Sequence, residues 1–209
     1  TLKRVPVGGG TPATIAPAEN PFGMSWGDDG IVFGRALQGI SRVSPNGGMP
    51  ESIVSVGEGE QLYGPQMLPG GDAVLFTLAG VTGADPWSDA RVVVQSLASR
   101  ERKTVIEGGS DGRYLPSGHL IYAVSGSLFA VAFDPVTRTA SGAPVPILAG
   151  VRRALGNVAT QFSVSRTGSL MYVPGPVDAA SNVRTLVVSD RNGASVPLKL
   201  PTGNYIHPR

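Results

Sequence analysis

No cysteine occurs among the 209 residues, so disulfides and thiolate metal sites are excluded, and nothing follows about the redox compartment. Histidine is almost as scarce. His119 and His207 are the only two, so any imidazole base must be one of them. No apolar run approaches the ~20 residues a helix needs to cross a bilayer, so no membrane insertion is expected. No signal peptide opens the chain either; Thr1 is not an initiator methionine and points to a mature segment or an excised piece. Charge is sparse and balanced, with 17 basic and 15 acidic residues for a net +2. Basic residues gather only at Arg100, Arg102 and Lys103 and at Arg152-Arg153. The first group reads as a solvated hairpin tip, so no nucleic-acid partner is expected. Helix signals are nearly absent: residues 95–105 show no apolar stripe at 3.6 spacing and read as a strand, a charged tip and a returning strand.

What the chain has is turn residues and a repeat. Glycine (29) and proline (18) exceed a fifth of the residues, while 41% apolar content is enough to fill a core. Four times a polar turn containing glycine runs into an apolar strand carrying an aromatic. The copies are Asp28-Asp29-Gly30-Ile31-Val32-Phe33, Pro69-Gly70-Gly71-Asp72-Ala73-Val74-Leu75-Phe76, Pro116-Ser117-Gly118-His119-Leu120-Ile121-Tyr122 and Arg166-Thr167-Gly168-Ser169-Leu170-Met171-Tyr172. Their aligned glycines stand 41, 47 and 50 residues apart. A sheet module recurring at that period marks an all-β fold, a β-propeller built of four-stranded antiparallel blades.

Full blades are expected at 20–56, 65–106, 112–149 and 159–200. Their strands are placed at 22–26, 30–34, 40–44 and 51–56; at 66–68, 74–78, 91–97 and 103–106; at 112–115, 120–124, 127–133 and 145–148; and at 161–164, 170–173, 185–189 and 196–200. Asn46-Gly47 and Asn192-Gly193 are read as type I′ hairpin turns, in which both central residues need positive φ. Residues 1–16 resemble the outer half of a further blade, and 205–209 the start of another. The whole, 1–209, is read as one domain of about four and a half blades. Open blade edges invite association, so the chain is expected to be either part of a larger ring or closed by a second copy, a possible homo-oligomer.

The glycine-aromatic pattern, with outer strands such as Ile40-Ser41-Arg42-Val43-Ser44-Pro45-Asn46-Gly47-Gly48-Met49-Pro50, resembles the WD40-like or TolB-like propeller repeat of bacteria. The usual form of that repeat is Ser-Pro-Asp-Gly ahead of the aromatic strand. No copy here keeps it in full: Pro69-Gly70-Gly71 and Pro116-Ser117-Gly118 are partial, and the fourth reads Ser165-Arg166-Thr167-Gly168. The resemblance covers nearly the whole chain and implies periplasmic binding proteins, sensor halves of bacterial kinases, or the propeller caps of prolyl-oligopeptidase-like enzymes.

Residues that could carry chemistry are few. Gly23-Met24-Ser25-Trp26-Gly27 matches G-x-S-x-G, but Asp28-Asp29-Gly30 and another strand follow, where a nucleophile elbow needs a helix. The serine is read as an inner-strand residue, and no catalytic residue is assigned. Inner strands offer Ser25, Gln66, Tyr114 and Ser163, poor ligands for a hard cation. Asn20, Asp111 and Asn157 could reach a channel mouth but equally cap turns. No metal and no cofactor are expected. Binding surface on a propeller belongs to its long loops, here 78–90, 150–160 and 173–184. Ligand or partner contact is placed at Trp87, Asp85, Arg152, Arg153 and Asn157, with Trp87 exposed or loosely packed over a blade edge and read more readily as a loop anchor than as a contact. The function expected is a non-catalytic ligand-binding, protein-binding or sensor module, periplasmic or extracellular. The alternative is the propeller portion of a prolyl-oligopeptidase-like serine hydrolase. A metal-dependent lactonase would need carboxylates converging on the channel, which the sequence does not supply.

Overall fold

The computed structural model describes residues 1–35, 37–82, 87, 89–154, 159–175 and 186–200. Among them all regular structure is β, and the chain divides into two compact units, Thr1–Gly108 and Gly109–Arg209. In the first unit β1 (Leu2–Arg4) and β2 (Ala13–Ala16) form a two-stranded sheet. Two four-stranded antiparallel meanders follow. One is β3 (Met24–Gly27), β4 (Gly30–Gly34), β5 (Ile40–Val43) and β6 (Glu51–Val54); the other is β7 (Glu60–Met67), β8 (Ala73–Gly80), β9 (Arg91–Ser96) and β10 (Arg102–Ile106). The second unit repeats the pattern twice. It holds β11 (Ser110–Leu115), β12 (His119–Val124), β13 (Ser127–Asp134) and β14 (Thr139–Leu148), then β15 (Phe162–Val164), β16 (Leu170–Tyr172), β17 (Val187–Ser189) and β18 (Ser195–Pro197). These four sheets are the blades of a β-propeller, as the repeat predicts. Residues 205–209 lie outside the described residues.

The second strand of each blade in the first unit is covered on both faces. Every residue of β4 is buried, and so are the first seven of β8. Double burial explains why these stretches run apolar without alternation. Val32, Ile40 and Val54 of the first blade pack on Leu62, Val74, Phe76, Leu78 and Val93 of the second. Ile15 and Ala16 of β2 close on Ile31, Phe33 and Val43. In the second unit Leu115, Ile121, Ala123 and Leu128 of the third blade meet Val151, Phe162, Leu170 and Tyr172. A Cβ on Gly34 would stand 2.6 Å from the carbonyl oxygen of Phe22 in its own blade, which accepts the Gly64 N–H at 2.9 Å, and 3.2 Å from that of Leu62 in the second blade. Only glycine fits there.

Three sequence expectations change. The inner strand of the second blade starts at Glu60, six residues before the expected 66; Gly64-Pro65 reads as a breaker but sits in a register shift between Tyr63 and Gln66. The last strand of the third blade starts at Thr139, because Ser141-Gly142-Ala143-Pro144 lies on an exposed edge where low strand propensity is tolerated. The hairpins at Asn46-Gly47 and Asn192-Gly193 form, but only their glycines have positive φ, at 94° and 82°. Ser44 and Asp190 accept from the glycine N–H at 2.9 and 3.1 Å, and Asp190 Oδ1 also takes the N–H of Asn192 and Ala194 at 2.8 and 3.0 Å. A short polar side chain at the turn's first position has replaced the I′ geometry with a type I turn closed by glycine.

Arg102 also departs from expectation. It is half-buried, where the sequence reads a solvated tip. Its guanidinium donates to Gln95 Oε1 at 2.7 Å, Glu60 Oε2 at 2.7 Å and the Ser55 carbonyl at 2.5 Å, and lies 5.9 Å from the Phe76 ring centroid. Burial pushes the Glu60 carboxyl up, but the bonds from Arg102 and the Gly57 N–H, with the charges of Arg102 and Arg91, outweigh it and hold it below the ordinary range.

Candidate functional site

Arg152 and Arg153 lie on a short segment ahead of the fourth blade's inner strand. Its backbone is pinned from three sides. Val151 N–H donates to the Gly126 carbonyl at 2.9 Å, Arg152 N–H to Val173 at 2.8 Å, and Gln161 N–H to the Arg152 carbonyl at 2.8 Å. The β12–β13 turn comes so near that a Cβ on Gly126, whose φ is +79°, would meet the Val151 carbonyl oxygen at 2.8 Å. That contact fixes the Arg153 stem against the turn. Arg153 pairs with Thr160 in an isolated antiparallel bridge, which sets Arg152 opposite Gln161, their side chains on one face.

Arg152 and Gln161 are both buried, at 8% and 4% exposure. Among the described residues Gln161 Oε1 is buried without a hydrogen-bond partner, and the Arg152 guanidinium, which makes no side-chain bond there, keeps its nitrogens in reach of solvent. A buried amide oxygen without a partner is rare in a native core. Beside them stands Asp111, also buried, with φ +55°. Its Oδ2 accepts the Thr160 N–H at 2.9 Å and the Ser110 hydroxyl at 2.8 Å, tying the start of β11 to the segment entering β15. The Thr160 hydroxyl faces the same carboxyl without closing a good bond. Burial raises the Asp111 pKa, the hydrogen bonds and the charge of Arg113 opposing it only in part. The sequence reading weighed Asp111 as a turn cap or channel ligand; it is a tie between blades. Thr160 and Gln161 were missed, because a Thr-Gln pair ahead of a strand carries no signal of burial.

Asp85 and Asn157 lie outside the described residues, as does His207. Trp87 is buried, correcting the exposed or loosely packed placement. Its indole meets the Tyr63 ring edge-on at 5.7 Å, and Tyr63 meets Phe22 in the same way at 6.1 Å. An aromatic file of this kind anchors Trp87 on β7. Trp26, on β3, is 61% exposed. In Trp26→Phe the remaining Trp87 emission is therefore expected to move to the blue and resist acrylamide. Red-shifted, readily quenched emission from that variant would put Trp87 in solvent.

Ser25 of G-x-S-x-G lies within β3 opposite Val32 of β4, so strand follows strand and no elbow forms. His119 is exposed and bonds Ser117 Oγ through Nδ1 at 3.1 Å. Asp134 behaves as a turn residue: the Val136 N–H at 2.8 Å, with Thr137, holds its carboxyl below the ordinary range. No cluster of three or more His, Asp or Glu suited to a metal occurs among the described residues.

No family model matches the sequence, and no curated protein matches it. Solved structures do resemble the fold. Regucalcin from Agrobacterium tumefaciens, a calcium-binding protein, superposes with a TM-score of 0.51 at 12% identity over 84% of this chain and 57% of its own. An oligogalacturonate lyase in complex with manganese gives 0.53 at 14%, over 86% of this chain and 53% of the lyase. Puromycin hydrolase gives 0.50 at 16%, over 96% and 35%. The chain thus spans little more than half of the first two, and at these identities the likeness shows the fold alone.

Proposed function

We propose that this chain is a non-catalytic binding propeller of the WD40-like or TolB-like kind, working outside the cytoplasm, and that it takes its ligand at the Arg152 end of the fourth blade. The observation that carries this reading is the buried Gln161 Oε1, left without a partner by the described residues, on the same face as the Arg152 guanidinium, which makes no side-chain bond among them. An occupant that offers an anionic acceptor to the guanidinium and a donor to the amide oxygen satisfies both. A peptide segment bearing a carboxylate has that combination, as does a small hydroxylated acid. The site needs nothing from a nucleophile or a metal.

The test separates recognition from structure. A guanidinium kept for a ligand holds no structural bond in the free protein, so Arg152→Met is expected to keep or slightly raise its stability, within about 0.5 kcal/mol in urea unfolding. A structural arginine gives the opposite sign. A loss of more than about 1 kcal/mol in Arg152→Met would therefore sink the proposal.

A further inference from the structure

The second unit carries a concavity at the opposite end of β15 from Arg152. A cleft of about 340 Å³ opens between the turns β11–β12, β15–β16 and β17–β18. Its floor is apolar, made by Leu115, Ile121 and Ala130. Its rim holds Ser117, His119, Arg166 and Arg191, and no carboxylate lines it. Five residues of extended chain from Gln161 to Arg166 put it roughly 17 Å from the first site.

Arg191 is the fixed part of the rim. Nη2 donates to the Thr167 carbonyl at 2.5 Å, and the guanidinium lies over Gly168. Nε and Nη1 have no partner among the described residues. The nearest acid in sequence, Asp190, spends its Oδ1 on the backbone N–H groups of Asn192 and Ala194 and forms no ion pair with it. A planar guanidinium already oriented, uncompensated and set above an apolar floor matches one kind of ligand. The volume is at the small end of ligand pockets, enough for a short chain or one ring. From this geometry we infer a second binding site that takes a small amphipathic carboxylate, its head on Arg191 and its apolar body on Leu115, Ile121 and Ala130. The inference stands apart from the Arg152 reading and survives its failure.

Calorimetric titration with octanoate, acetate and octanol tests it. Octanoate is expected to bind saturably, with acetate and octanol at least about tenfold weaker, since head and tail are both required. Arg191→Gln should weaken octanoate at least tenfold. Ala130→Trp, which fills the floor and leaves the arginines in place, should abolish binding, with circular dichroism confirming that each variant is folded. Octanol binding as well as octanoate, an Arg191→Gln variant with full affinity, or no saturable octanoate binding up to about 10 mM would each overturn the site.

Discussion

Truncating Phe76 to alanine is expected to cost the first unit about 3–5 kcal/mol. Phe76 has no exposed surface. It stands on the face of β8 that meets the first blade, among Val32, Ile40, Val54 and Leu62, with Val74 and Leu78 two residues to either side. All of these come from strands pinned in ladders, so the hole left by the ring cannot collapse cheaply. The truncation also removes the surface beneath the Arg102 guanidinium, and a desolvated cation over a ring contributes up to about 2 kcal/mol. Both tryptophans, Trp26 and Trp87, belong to the first unit, so fluorescence-monitored urea unfolding reads the loss there directly. A shift below about 1 kcal/mol would mean that Phe76 is not in the packed interior between these blades.

The second large effect belongs to Asp111, where alanine and asparagine should part company. Asp111→Ala leaves the Thr160 N–H and Ser110 hydroxyl facing a buried site with no acceptor, and puts alanine at positive φ. The expected cost is about 2–4 kcal/mol. Asp111→Asn keeps an oxygen for the Thr160 N–H and tolerates the left-handed backbone. It also removes a carboxyl whose ionisation the fold opposes. Because the folded pKa lies above the ordinary value of about 3.9, the native state holds the extra proton between those two values. Stability from this group is fully present below the unfolded pKa and declines as pH rises through the folded one. Wild type should therefore gain on Asp111→Asn as the pH falls from 7 towards 4. Urea midpoints of the two proteins at both pH values check the sign; a gap that is constant or closes the other way refutes the assignment.

Much of the fold was legible because a propeller writes it repeatedly. The spacing from Gly30 to Gly71, Gly118 and Gly168 located all four second strands, and β4, β5, β9 and β12 lie within a residue of their expected ends. Local signals failed where tertiary contact overrode them. Gly64-Pro65 breaks a strand in isolation, yet β7 carries it because Gly64 is bonded to the neighbouring blade. Arg102 looks like a solvated tip until Glu60, Gln95 and Ser55 gather on it from other strands. The candidate sites were less legible still. Arg152 stood out as one of two adjacent cations, but its interest lies in Gln161 opposite, a pairing set by the bridge between Arg153 and Thr160. Arg166 and Arg191 are 25 residues apart, and only the turns that end their strands bring them to one cleft.

Each ladder of the fourth blade pairs three described residues, whereas β7–β8 and β8–β9 pair six each. The Arg152 segment and the Arg166–Arg191 cleft both border this small blade. Mass action then works with the architecture: a ligand present at a hundredfold excess over its dissociation constant adds about 2.7 kcal/mol to the folded side of any opening that releases it. For a sheet whose described ladders are so short, that is a large share of what resists local opening. Occupancy would be written into the cohesion of the blade, and through it into the exchange of its amides with solvent.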